Sequence, residues 1–151
     1  MSKDIAVNKQ AFRDYAIFEK MECGIELKGS EVKSVRDGRI NFKDSFARIE
    51  DGEILLYNTH ISPYMEASYM NVEALRARKL LLHKKEIAKL FIQVSQKGFT
   101  LIPLKAYFNN RGFVKIELAV CKGKRSFDKR DDIKRKEVEL DIRRVLKSRR
   151  K

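Results

Sequence analysis

Few side chains in this sequence have the types and spacing for covalent chemistry. There are two histidines, His60 in "NTHIS" and His83 in "LLHKK", and two cysteines, Cys23 and Cys121. No patterned carboxylate or cysteine places either histidine in a metal set or a catalytic triad. The cysteines lack CxxC spacing and read as two small buried hydrophobes rather than a disulfide. Clustered carboxylates occur in "DKRDD" at 128–132. They stand in a segment expected to be mobile, and a mobile segment cannot hold a metal preorganised. No catalytic residue, metal site or cofactor is expected. The abundant chemistry is cationic: 34 Lys and Arg oppose 21 Asp and Glu, a net charge of +13. Fourteen of those cations and only six acids fall between Cys121 and Lys151, so this stretch carries +8 and the first 120 residues +5. Phe127 stands directly before "DKRDD". An aromatic beside Lys and Arg is the composition that stacks on a base while pairing with phosphate. A run of charge is more often a plain solvated tail, and the mixed signs and the aromatic are what argue against that here. A polyanionic partner is implied, nucleic acid before an acidic membrane surface.

Those cations must be carried by a folded body. The chain is one domain long, and 43% hydrophobic residues suffice for a core. Asn8 is placed to cap a short helix over "KQAFRDYAI", with Ala11, Phe12 and Tyr15 on one face. "YAIFEKMECGIEL" reads as one or two strands bent at Gly24. In "GSEVKSVRDGRI" Ser30 is a candidate N-cap and Asp37-Gly38 ends a helix of one or two turns. Val32 and Val35 would face inward there, leaving Glu31, Lys33 and Arg36 outside. "SFARIEDGEILLYN" carries Asp51-Gly52 between alternating strands, the chemistry of a type I′ hairpin. "THISPYMEASYMNVEALRARK" lacks a clean period and is read as a connection with a short helix near 72–78. "HKKEIAKLFIQVSQKG" repeats Ile87, Leu90, Phe91 and Val94 at helical spacing, with Gly98 placed for a left-handed cap. "FTLIPLKAYF" and "FVKIELAVCKG" form a second hairpin around "NNRG".

The expected fold is therefore mostly β with short helices. It is a small oligonucleotide-binding-like barrel of about six antiparallel strands over residues 1–125. Residues 126–151 are expected to be a flexible basic tail. The stripe of Val138, Ile142 and Val145 or Leu146 is too narrow to offset about 1–2 kcal/mol of backbone entropy per ordered residue. No apolar run is long enough for a spanning helix, and "MSKDIAVNKQ" has no signal core, which places the protein in the cytoplasm and off the membrane.

At this point the motifs become specific. "GSEVKSVRDG" and "GKRSFDKR", in order with "NKQAFRDYAI", "RARKLLLHKKEIAKL" and "GFTLIPLKAYFNNRGFVKIELAVCKGK", resemble the bacterial SmpB family across nearly the whole chain. That resemblance implies a barrel that holds the tRNA-like domain of transfer-messenger RNA. It also implies a tail that reads the empty decoding site and message channel of stalled ribosomes, in trans-translation. The implied partners are transfer-messenger RNA and the small-subunit decoding region with its ribosomal RNA. Elongation factor Tu and alanyl-tRNA synthetase are further candidates, acting through the charged RNA. Carried over by motif, the RNA-binding residues would be Asn8, Lys9, Glu31, Lys33, Ser34, Arg36, Arg76, Arg78, Lys79, Lys122, Lys124 and Arg125. Glu31 would accept from a base or a 2′-hydroxyl, or orient Lys33 or Arg36. The decoding-site tail would use Phe127, Asp128, Lys129, Arg130, Lys134, Arg135, Lys136, Arg143 and Arg144. Phe127 replaces the His or Tyr common in the family, which keeps stacking and loses a hydrogen bond. "NVEAL" stands where a Pro-containing stretch is common, and "ECGI" replaces "EAGI". Two other functions fit the composition: a ribosome-associated or single-strand RNA module without a rescue role, and an RNA-processing enzyme, against which the histidine and carboxylate patterns argue.

Overall fold

A computed structural model describes residues 3–64 and 72–124. Among the described residues, nine strands and three helices follow one another as β1 (Lys3–Val7), α1 (Lys9–Asp14), β2 (Tyr15–Ile25), α2 (Gly29–Arg36), β3 (Ile40–Asn41), β4 (Phe46–Glu50), β5 (Glu53–Tyr57), β6 (His60–Ile61), β7 (Arg78–Leu81), α3 (Lys84–Lys97), β8 (Thr100–Phe108) and β9 (Val114–Gly123).

Six strands close a ring. The sheet runs β1-β8-β4-β5-β7-β2-β9, and β9 pairs back onto β8. All pairings are antiparallel. Closure removes the open edges that a flat sheet would present. The expected barrel of about six antiparallel strands is thus present, with β1 laid against the far half of β8 and β3–β6 as a separate small ladder. The weakest join is β4 to β8, a single pair of Ala47 with Leu101.

The inward faces follow period two. Ile116, Leu118 and Val120 of β9, Ile54 and Leu56 of β5, and Leu101 of β8 are all fully or almost fully buried in one cluster. The other face of β8 and β9 is also covered, because α1 lies over Ile102, Leu104, Ala119 and Cys121. Ala119 and Cys121 are therefore buried alongside Leu118 and Val120, as Ile102 and Leu104 are alongside Leu101. The Asp51-Gly52 turn has φ of 50° and 76°, the type I′ geometry that matches strand twist. Gly98 caps α3 at φ 71° as its position requires.

Three expectations need correction, and β2 carries an irregularity that the sequence did not show. The register slips between Ile17 and Glu19, leaving Phe18 as the extra residue of a bulge. Gly24 is where β2 is flanked by β7 and β9 together, and a Cβ there would lie 3.1 Å from the Leu81 Cβ. The N-cap of α2 is Lys28, not Ser30, because Glu31 at the third helical position accepts the Lys28 N–H at 2.8 Å. Residues 72–78 form no helix: a turn at Ala74-Leu75 leads straight into β7. Phe91 and Phe12 do not face the core, being 53% and 41% exposed.

Both thiols are buried and unpaired, Cys23 within the barrel and Cys121 beneath α1. Burial pushes each up to about 12. At neutral pH neither is a thiolate, and a thiol reacts through that form. A thiol-specific disulfide reagent should therefore titrate neither cysteine in the native protein on the minutes scale and both in denaturant. Rapid modification of the native protein would contradict this packing.

Candidate nucleic-acid interface

The sequence places Arg76 and Arg78 two apart. In extended backbone that spacing sends both side chains to the same side. A helix over 72–78 would have separated them by about 200°. Extended into β7, both reach Glu31 of α2. Arg78 Nε donates to Glu31 Oε2 at 2.6 Å, and Arg76 Nη2 donates to Oε1 at 2.5 Å. The Lys28 N–H is a third donor to the same carboxylate. Arg78 also donates to the Thr59 carbonyl at 2.6 Å and the Ala74 carbonyl at 3.0 Å. One guanidinium and one carboxylate thus tie α2, β7, the Thr59 turn and the Ala74 turn together.

Burial assigns the roles. Arg78 has no exposed side-chain surface and Glu31 has 3%, while Arg76 keeps 29%. Burial alone would raise the Glu31 carboxyl, but hydrogen bonds from Arg76, the Lys28 amide and Arg78 outweigh it and hold the group below its ordinary value. Glu31 is therefore ionised and spoken for. This corrects the reading of Glu31 as an outward group contacting a base or orienting Lys33 or Arg36: it orients Arg76 and Arg78. Arg78 cannot touch RNA as the chain stands, and its work is internal. Arg76 is different, since its guanidinium is held by Glu31 yet part of it reaches solvent.

The remaining named residues divide. Lys33 and Arg36 lie on the exposed side of α2, with Lys33 Nζ 5.5 Å from the Tyr64 ring centre. Ser34 is fully buried, so its expected surface role is corrected too. Lys79 faces outward and reaches Glu53 at 3.1 Å, a half-exposed pair of modest energy. Among the residues named for RNA contact, Lys33, Arg36, Arg76 and Lys79 are thus the accessible cations of the α2–β7 region. Asn8 is 8% exposed and occupied: its Oδ1 accepts the Ala11 N–H at 3.2 Å, and its Nδ2 donates to the Pro103 carbonyl at 2.9 Å. Its backbone N–H donates to the Leu104 carbonyl at 2.7 Å. Asn8 thereby fills the gap on β8 between β1 and β4, next to a proline that has no N–H to offer. Lys9 beside it is exposed. At the end of β9, Lys122 lies 4.6 Å over the Phe99 ring, and Lys124 donates to the Phe12 carbonyl at 3.3 Å. Arg125, Phe127, Asp128, Lys129, Arg130, Lys134, Arg135, Lys136, Arg143 and Arg144 lie outside the described residues, as does the expected tail itself.

The sequence reading missed an outer-face network. Tyr107 donates to Glu22 at 2.5 Å, and Lys105 bridges Asp4 at 3.7 Å and Glu117 at 3.4 Å. The pairings of β1 with β8 and of β2 with β9, which the sequence does not show, bring these residues together along with the β8–β9 hairpin. A groove of about 1180 Å³ also opens where β4 and β8 part, bordered by α1 and α3. Among the described residues no cluster of His, Cys, Asp and Glu is arranged to hold a metal, and no helix is long and apolar enough to cross a membrane.

Comparison with known proteins places this architecture. A solved structure described as "tmRNA-SmpB: a journey to the center of the bacterial ribosome" superposes with a TM-score of 0.67 at 54% identity, covering 79% of this chain and 83% of that one. Proteins named SsrA-binding protein are similar over their length. That of Caldicellulosiruptor saccharolyticus is 59% identical over 145 residues, covering 96% of this chain and 91% of the relative. That of Geobacillus thermodenitrificans is 52% identical over 149 residues, covering 99% and 96%. The family model for SmpB protein matches residues 5–148, which includes the Glu31–Arg76–Arg78 clamp and the basic run after β9. With a six-strand ring, a likeness that spans it and a family match from end to end, the chain belongs to the SmpB family.

Proposed function

We propose that this chain binds the tRNA-like domain of transfer-messenger RNA and delivers it to stalled ribosomes for trans-translation. The observation that carries the proposal is the family match over residues 5–148, from β1 into the basic run. Charge supports it, because +13 on 151 residues suits a polyphosphate partner.

The protein does no covalent chemistry in this scheme. It grips and positions. Lys33, Arg36, Arg76 and Lys79 take phosphates of the folded RNA, and the Glu31 clamp fixes the direction of Arg76 before the RNA arrives. Preorganisation of that kind lowers the ordering cost of binding. Lys9 adds to the surface that meets the RNA, and Lys122, Lys124 and Arg125 lead toward the ribosome. Residues 126–151 serve the decoding region, with Phe127 stacking and Asp128, Lys129, Arg130, Lys134, Arg135, Lys136, Arg143 and Arg144 positioning the segment. Elongation factor Tu and alanyl-tRNA synthetase join through the charged RNA. The site of action is the cytoplasm.

A pull-down of the tagged full chain from bacterial lysate tests this directly. Sequencing of the bound RNA should return transfer-messenger RNA as the dominant species, enriched far above its cellular share. Recovery of transfer RNAs or messenger fragments without it would refute the proposal and favour a general RNA-binding module.

A further inference from the structure

The β8–β9 hairpin ends in a tightly bonded tip that carries an aromatic. Asn109 Oδ1 accepts the N–H of Arg111 at 3.0 Å and that of Phe113 at 2.9 Å. The Asn109 N–H donates to the Phe113 carbonyl at 2.9 Å, and the Gly112 N–H donates to the Asn109 carbonyl at 3.0 Å, with Gly112 at φ 81°. A turn tied in this way holds its residues in place before a partner arrives, which lowers the ordering cost of binding. Val114 and Ile116 turn into the core. Phe113 stays outside at 64% exposure, the highest of the large hydrophobic residues described. Single exposed apolar residues are ordinary on a surface. This one stands in cationic company: from Thr100 to Ile116 the chain has Lys105, Arg111 and Lys115 and no acid. Among the described residues neither the Phe113 ring nor the exposed Arg111 guanidinium has a partner.

We propose that Phe113, with Arg111 beside it, is a stacking prong for an unpaired base of the tRNA-like domain. The proposal deepens the function above and rests on it. Strand register ties the prong to the cations of β7. Gly24 of β2 lies opposite Leu81 of β7 on one side and opposite Lys115 of β9 on the other. Residues directly opposite share a face of the sheet. Strands β7 and β9 run the same way, each antiparallel to β2. Two residues back along each, Lys79 and Phe113 therefore fall in one row across β2, about 10 Å apart at two strand spacings. A folded RNA held by Lys79 would overlie the tip. Glu26 stands between them in that row; it is exposed, and its N–H donates to the Lys79 carbonyl at 2.9 Å. A carboxylate repels phosphate and not a neutral base, and it can accept from a base's amino group. The place therefore suits a base rather than the RNA backbone. Arg111 supplies the cation for that nucleotide's phosphate.

Stacking and phosphate attraction can be told apart on a transcript of the tRNA-like domain, bound by the full chain and by its Phe113→Ala, Phe113→Tyr and Arg111→Gln variants. F113A should lose about fivefold or more in affinity, the scale of one stacked base, with the salt dependence of binding unchanged. F113Y, which keeps a ring, should stay within about twofold of wild type. R111Q should lower the log–log salt slope by about 0.7–0.9, as one lost phosphate contact does. Base-specific chemical probing should find one unpaired base protected by the wild type and by F113Y and reactive with F113A. Circular dichroism should show every variant folded, because both positions are exposed. Wild-type affinity and protection in F113A would overturn the prong and leave the function standing. A loss seen only when purified ribosomes replace the transcript would overturn it too, and would give the ring to ribosomal RNA. Failure of the wild type to bind the transcript at all would overturn the function and the prong together.

Discussion

Replacing Glu31 with Gln or Ala should be among the most damaging single changes in the barrel. Removing one partner of a buried ion pair leaves the other charge uncompensated, at a cost of about 3–5 kcal/mol. Here the orphan would be Arg78, which has no exposed side-chain surface, with Arg76 losing its anchor as well. Domains of this size are stable by only about 5–15 kcal/mol, so the variant should stand near unfolding at physiological temperature. The melting temperature should fall by about 10–20 °C. The pH dependence has a definite sign. The Glu31 carboxyl is held below its unfolded value, so its stabilisation is full above the unfolded carboxyl's pKa near 4.3 and fades as pH falls through the folded value. Wild type and E31Q should therefore differ most near neutrality and converge below about pH 4.3. Denaturant melts at pH 7 and pH 3.5 measure both. A difference under about 0.5 kcal/mol at pH 7 would show that the clamp carries no net weight.

A companion variant separates the clamp's two roles. Replacing Glu31, Arg76 and Arg78 together by apolar residues of similar volume leaves no unpaired charge and can be close to neutral in stability. If the clamp exists only to join α2 to β7, that triple variant should fold and keep its RNA affinity apart from one phosphate contact. If the carboxylate is there to aim Arg76, Arg76→Lys alone should weaken RNA binding with little loss of stability. Lysine keeps the charge but not the planar fork that Glu31 holds.

How much was legible in the sequence depended on the range of the interaction. The hairpin at Asp51-Gly52, the cap at Gly98 and the long β8–β9 hairpin are local. Their residue types impose their own geometry, and each appears where the sequence placed it. Glu31 was misplaced because its surroundings are not local. In a short helix read from its own neighbours, a charged residue ahead of two inward valines belongs outside. The partners that draw it inward lie 45 and 47 positions away. The same distance explains the missing helix at 72–78: local propensity permits a turn of helix, and two arginines with one carboxylate to share demand extended backbone. Asn8 caps α1 as its residue type indicated, while the motif resemblance also placed it, with Ser34, on the RNA-facing surface. Neither motif says which polar atoms the fold consumes, and Asn8 spends its amide on the gap that Pro103 leaves in β8. Phe91 and Phe12 obey helical spacing and are still exposed, because α3 and the six-residue α1 each bury only part of their apolar residues against the barrel. Membership of the family was legible from the ordered motifs, and it holds over residues 5–148.

Removing residues 131–151 should separate RNA binding from ribosome rescue. The deleted stretch holds nine Lys or Arg against five Asp or Glu, a net +4 of the chain's +13. The shortened chain keeps all of the described residues, including the clamp and the accessible cations of α2 and β7. Binding to the tRNA-like domain should therefore weaken by no more than about tenfold at moderate salt, through loss of long-range attraction. Raising the salt should shrink even that difference, because the deleted charges act through a screened field and not through fixed contacts. Tagging of nascent chains on messages without a stop codon should, by contrast, fall to background, since nothing would remain to occupy the decoding region. Parallel measurement of the binding isotherm and of tag addition in a reconstituted translation system reads both. Normal tagging by the shortened chain would show that the barrel alone licenses rescue. An affinity loss far beyond tenfold with the barrel still folded would show that the tail, not the α2–β7 face, is the principal grip on the RNA.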